Sequence, residues 1–298
     1  MLSTIKHLSF GLIIGMLFML LIIFGVLILN PGMARAAANP FLPTGTFTPS
    51  STNTATPTLI PTFTLTFTPT PTLLVIPTNT PSKTPSPLEA LINSGGLIFT
   101  GPLSNDQQLS LYEASLNYIA PSIQDSTRVS IGVNGVGYGD PTNICGPLAI
   151  AIMRDAGIVA EDIAPHDFWL LNPVIPEDRK ILNRTFPANR FSYMKFAKPL
   201  NQMDWRAFPL QPGDFLFIWH GSGGNFDHML AVNRVDGNLR AYAVTNYGTP
   251  NGFTIAEVKL YDPADPNAGI FHTWTMERNR PLGSTGFGGF ELWRLRAP

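Results

Sequence analysis

Apolar residues follow three regimes along this chain. From Leu8 to Leu29 they run almost unbroken, interrupted only by Ser9 and small glycines. From Asn39 to Pro87 they scatter among threonines and prolines with no helical or strand period. Beyond Leu88 the periodicities of a folded domain begin. Ser104 and Asn105 can cap a helix running to about Ile119, with Leu109, Tyr112, Leu116 and Ile119 on one face. Ile131 to Asn143 holds four glycines and two asparagines and reads as a loop. A second helix is expected from Gly146 to about Ala156. Pro147 fits its first turn and Gly157 its C-terminal stop. Its small apolar residues predict burial. Between 160 and 212, prolines and isolated aromatics predict short helices and loops. From Gly213 the period shortens to that of strands: Phe215–Trp219, Met229–Val235, Leu239–Thr245, Thr254–Leu260 and Phe290–Leu295. One helix followed by a run of antiparallel strands predicts an α+β domain with segregated layers, the helix packed against the sheet.

The first two regimes give an address. Lys6 and His7 precede the apolar run, Pro31 ends it, and Ala34-Arg35-Ala36 and Ala36-Ala37-Ala38 offer small-residue cleavage sites. The run also reaches the roughly 20 residues that span a bilayer. Residues 1–38 therefore read as an uncleaved membrane anchor or a cleaved signal peptide, and either one places the rest of the chain outside the cytoplasm. Residues 39–87, whose one charge is Lys83, read as a polyproline-like stalk with a reach on the order of 100 Å at about 3.1 Å per residue. Residues 88–298 form one domain of ordinary size. It carries all 20 acidic residues and 16 of the 19 basic ones, the others being Lys6, Arg35 and Lys83, so its net charge is near −4. A mildly acidic domain argues against nucleic-acid binding.

The one cysteine, Cys145, cannot form an internal disulfide. It lies where a Gly-rich stretch enters the apolar helix, and there the helix dipole and free backbone N–H groups favour a thiolate. A thiolate nucleophile needs a histidine to take and return a proton. His228 is the best placed of five, because it opens the run His228-Met229-Leu230-Ala231-Val232 and is held on a strand. His220 reads as a rim residue before the Gly221-Ser222-Gly223-Gly224 loop. An orienting partner is expected on the return strand. A three-residue turn over Asp236 to Asn238 would set Asn246 opposite His228, and a two-residue turn would set Thr245 there. Asp227 is expected to point away from the His228 face. One oxyanion donor would be the Cys145 N–H, with Asn143, Tyr138 and Asn134 as candidates for the other.

Taken in order, Asn143-Ile144-Cys145-Gly146-Pro147, Pro212-Gly213-Asp214-Phe215-Leu216-Phe217 and Asp227-His228-Met229-Leu230-Ala231-Val232 resemble a papain-like cysteine hydrolase over roughly residues 130–250. The Pro-Gly-Asp strand before a His-led strand resembles the NlpC/P60 and CHAP domains, and the Cys-Gly-Pro opening is similar to the C39-like peptidases. The resemblance implies a papain-like fold with Cys145 as nucleophile, His228 as base and acid, Asn246 as orienting residue and Asp214 as a structural hallmark. The sequence departs from the pattern in two ways. No glutamine stands shortly before the cysteine, and Ile144-Cys145 replaces the Asp-Cys or Ser-Cys of NlpC/P60. The implied activity is amide hydrolysis through an acyl-enzyme, with no metal or organic cofactor. An exported enzyme of this kind would act on peptides, those of the cell wall included. Two further readings stand: a surface binding module that keeps the fold without turnover, and an acyl transferase with the same triad.

Overall fold

The computed structural model describes residues 86–297. The expected leader over 1–38 and all of the 39–87 stalk but its last two residues lie outside them. Ser86 opens the described chain as the N-cap of α1 (Pro87–Asn93), its hydroxyl accepting from the Glu89 N–H at 3.2 Å while Glu89 returns the bond to the Ser86 N–H. The same reciprocal cap, Ser104 with Gln107, starts α2 (Asn105–Leu116). This helix forms where the sequence indicates, but it turns a different face inward. Gln108, Leu111, Ala114 and Ser115 are buried, while Leu116 and Ile119 are more than a third exposed. Gln108 can be buried because its Nε2 donates to the Leu103 carbonyl at 2.8 Å and its Oε1 accepts from the Thr100 N–H at 3.1 Å.

A third helix, α3 (Ile123–Asn134), was not legible, and it takes in the first four residues of the expected 131–143 loop. Its buried positions are Ser126, Ser130 and Asn134, and Ile123 and Ile131 face outward. The two serine hydroxyls reach the carbonyls of Ala120 (3.0 Å) and Tyr138 (2.6 Å), so the fully buried positions of this helix are polar, with Val129 packing on the core beside them. After the short turn Pro141–Asn143 comes α4 (Cys145–Asp155), whose residues from Cys145 to Met153 are all buried. It ends before Gly157, which takes the left-handed conformation (φ 71°) that closes helices. Then come α5 (Pro176–Thr185) and β1 (Phe191–Phe196). They are followed by β2 (Phe215–Ile218), β3 (His228–Ala231), β4 (Arg234–Val235), β5 (Ala241–Thr249), β6 (Gly252–Lys259), the short α6 (Ile270–Trp274) and β7 (Phe290–Leu295).

The strands form two antiparallel sheets, one in the order β1-β7-β2-β3 and the other β4-β5-β6. The centre of the larger sheet is buried on both faces, which is why β2 reads as the unbroken apolar run Phe215-Leu216-Phe217-Ile218. Phe215 and Phe217 join the cluster built around α4, while Leu216 and Ile218 join Trp205, Phe271 and Phe290 behind the sheet. The domain is thus α+β, with α4 packed on an antiparallel sheet. Gly146 allows that approach, since a Cβ there would stand 2.5 Å from the Met229 methyl and 2.6 Å from the Phe168 carbonyl.

Asp214, in Pro212-Gly213-Asp214, accepts two hydrogen bonds from Arg294 of β7, Nε to Oδ1 at 2.8 Å and Nη2 to Oδ2 at 2.6 Å, and one from the Gln211 N–H at 2.8 Å. Its own carbonyl takes the Val232 N–H. The motif therefore anchors the entry of β2 to two neighbouring strands of the sheet. Gly213 supplies the left-handed turn (φ 86°) before it.

Candidate active site

Cys145 begins α4, and the Pro141–Asn143 turn hands the chain to it. The thiol is 9% exposed at the foot of a cleft of about 290 Å³. His228, His220, Asp227, Asn143 and Trp274 line the same cleft. Three backbone N–H groups point at the sulfur, those of Met229, Gly146 and Cys145 itself. They favour thiolate, but burial outweighs them, and with the nearby Asp227 carboxylate it pushes the thiol up to about 11. The resting group is a neutral thiol.

His228 opens β3, paired across from Ile218 of β2. Its ring lies against Trp274, centroids 4.6 Å apart, and its Nε2 meets the Thr245 hydroxyl at 2.8 Å. Burial under these walls lowers the imidazole to about 3, so it too rests neutral. No hydrogen bond joins the ring to Asn246. Asn246 instead donates Nδ2 to the carbonyls of Pro141 (2.8 Å) and Thr142 (3.1 Å), which ties β5 to the turn that delivers Cys145. The orienting contact expected of Asn246 is thus made by Thr245.

Chain geometry explains the exchange. The β4–β5 connection has neither two nor three residues but five, 236–240, with Val235 facing Ala241 and Arg234 facing Tyr242. Asp236 braces it by accepting from the N–H groups of Asn238 (3.0 Å) and Arg240 (3.1 Å). The expected strand over 229–235 also breaks between Ala231 and Arg234, and its halves join different sheets. A single register cannot be carried across such a break, so parity counted from the hairpin no longer says which β5 residue His228 meets.

Two oxyanion candidates stand away from the cleft. Tyr138 packs edge-on against His166 and Trp169, centroids 4.5 and 5.2 Å apart. Asn134 is buried and its Oδ1 faces His166 Nδ1 at 3.4 Å. Asn143 alone of the three side-chain candidates lines the cleft, beside the N–H of Cys145.

The sequence pattern places His220 on the rim and turns Asp227 away from the His228 face. Both line the cleft, and they are paired: the Asp227 Oδ1 lies 2.7 Å from His220 Nδ1 and 2.8 Å from the His220 backbone nitrogen. Their spacing across a glycine-rich turn gave no periodic signal. Among the described residues no group of three or more His, Cys, Asp and Glu is placed to hold a metal ion, and no helix is long and apolar enough to cross a membrane. No protein-family model matches this chain, and neither the curated proteins nor the solved structures include a match to it.

Proposed function

We propose that this protein is a cysteine hydrolase of papain-like type that cleaves an amide bond of a peptide, cell-wall peptides included, on the outer side of the membrane to which its N-terminal segment directs it. The observation that carries the reading is one cleft holding the chain's single thiol, at a helix N-terminus, together with a strand histidine whose Nε2 is engaged by a hydroxyl. In this reading substrate binding displaces water from the cleft, and the carbonyl carbon meets the Cys145 sulfur. The thiol proton passes to His228 as the S–C bond forms. The N–H of Cys145, with Asn143 beside it, faces the developing oxyanion. Collapse of the adduct breaks the C–N bond, and the proton held on His228 goes to the departing amine. A neutral thiol and neutral imidazole suit this order of events, in which charge develops only as the bond forms.

The test is acylation of the full chain by p-nitrophenyl acetate, followed by intact mass. One acetyl group on Cys145 is expected in the native protein, forming about 10²- to 10⁴-fold more slowly in His228→Ala. A thiol that acylates only after unfolding would overturn the reading and favour the non-catalytic binding module. Alkylation by iodoacetamide, which draws no help from a bound substrate, should accelerate only as pH rises above the free-thiol value of about 8.5, because burial holds the proton on sulfur.

Thr245 and Asn246 separate in the same assay. Thr245→Val removes the hydroxyl at Nε2 and is expected to slow acylation roughly five- to tenfold, the worth of a hydrogen bond of about 1 kcal/mol. Asn246→Ala leaves two carbonyls of the Pro141–Asn143 turn unpartnered and is expected to lower the unfolding free energy by about 1–3 kcal/mol. Urea melts beside the acylation rates read the difference. An Asn246 variant as stable as wild type but slower to acylate would give the orienting role back to Asn246.

A further inference from the structure

The cleft contains a second histidine that the acylation chemistry does not use. His220 follows β2 and is half exposed, its side chain keeping 49% of its surface, while Asp227 keeps 30%. Asp227 holds it twice, through the ring and through the backbone. With Nδ1 turned to a carboxylate, the tautomer is set and Nε2 is left facing away from its partner. Among the described residues no hydrogen bond engages that Nε2. His220 and Asp227 both line the cleft that holds Cys145. Two residues along the chain, Met229 packs on Gly146 of α4. Solvent reaches His220 more readily than it reaches His228, which lies under the cleft walls.

Resting on the hydrolase reading, we propose that the His220–Asp227 pair is the base that activates the hydrolytic water in deacylation, the half of the reaction that comes after departure of the first product. In that step His220 Nε2 takes a proton from water as the water oxygen bonds to the thioester carbonyl carbon. The tetrahedral adduct collapses, the C–S bond breaks with its electron pair going to sulfur, and the carboxylic acid leaves. The imidazolium then returns its proton to the Cys145 thiolate. Asp227 fixes the ring and stabilises its charged form while it carries the proton. The alternative is a brace that merely closes the turn between β2 and β3.

Acetyl transfer from p-nitrophenyl acetate divides the two histidines, because p-nitrophenolate departs without needing a proton. For the full chain carrying His220→Ala, the expected result is an unchanged burst of p-nitrophenolate, a steady-state rate reduced about 10²- to 10³-fold, and an acetyl-enzyme that accumulates. Added imidazole should restore the steady state without altering the burst. Asp227→Asn should show the same pattern with a smaller loss. A brace would change the melting temperature and leave the ratio of burst to steady state alone, and that result would overturn the proposal. Equal loss of burst and steady state in a folded His220→Ala protein would also overturn it, by moving His220 into acylation. A wild-type chain that releases p-nitrophenolate neither in a burst nor at steady state would remove the hydrolase reading itself, and this proposal with it; steady turnover without a burst would place the slow step in acylation and overturn this proposal alone.

Discussion

Cys145→Ala is expected to lower turnover of any ester or amide the protein hydrolyses by about 10⁴-fold or more, the largest effect of any single change. No second thiol exists to substitute for it, and alanine offers no atom on which the acyl group can be carried. His228→Ala should cost less, about 10²- to 10⁴-fold, because the oxyanion donors and the bound geometry remain. Steady-state hydrolysis of p-nitrophenyl acetate by the full chain measures both, with thermal melts confirming that each variant is folded. Retention of wild-type turnover in Cys145→Ala would end the hydrolase interpretation.

Arg294→Ala should be the most damaging change away from the cleft, lowering the unfolding free energy by about 3–5 kcal/mol. Asp214 is 1% exposed, and among the described residues Arg294 supplies its only counter-charge, along with a hydrogen bond to the Pro209 carbonyl at 2.9 Å. Burial already pushes the Asp214 carboxyl pKa up, and the guanidinium opposes it. With the guanidinium gone, only the Gln211 N–H opposes the upward push, and a charge left on the carboxylate there goes uncompensated. The sign of the pH response is then set. A folded-state pKa raised above the unfolded value means that the folded protein takes up protons more readily, so the variant regains stability as pH falls. Urea melts at several pH values check this. Arg294→Ala with Asp214→Asn should recover part of the loss, because an amide in that site carries no charge to desolvate. A melt unchanged in Arg294→Ala would show that the pair is not holding β2 to β7.

Chemistry that sits in a short local run was legible along the chain. A lone cysteine before Gly-Pro and an apolar stretch marks a helix N-terminus, and α4 begins at that residue. Phe215-Leu216-Phe217-Ile218 marks a strand, because one buried on both faces must be apolar throughout, and β7 matches Phe290–Leu295 residue for residue. Pro-Gly-Asp announces a turn into a strand, though nothing local says that Asp214 is neutralised by a residue 80 positions away. The helices misread were those whose inward faces are polar. In α3 the buried positions are serines and an asparagine, and in α2 a glutamine and a serine stand beside Leu111, so hydropathy pointed to the wrong side or to no helix at all.

The candidate site divides along the same line. Cys145 and His228 could be named from local pattern, since each begins an element and an element's start is written in the residues around it. Their partners could not. Whether Thr245 or Asn246 meets His228 depends on a strand that breaks at Val232-Asn233 and changes sheets, and on a five-residue turn braced by Asp236. Whether Asp227 stands beside His220 depends on the path of the turn between β2 and β3. The sequence by itself determined the α4 helix, most of the strands and the two residues that begin them, because those depend on contacts within a few positions and on the apolar period. Only the tertiary structure decided which polar groups face one another, because hydrogen-bond partners distant in sequence are chosen by how the two sheets and the helices close around the cleft.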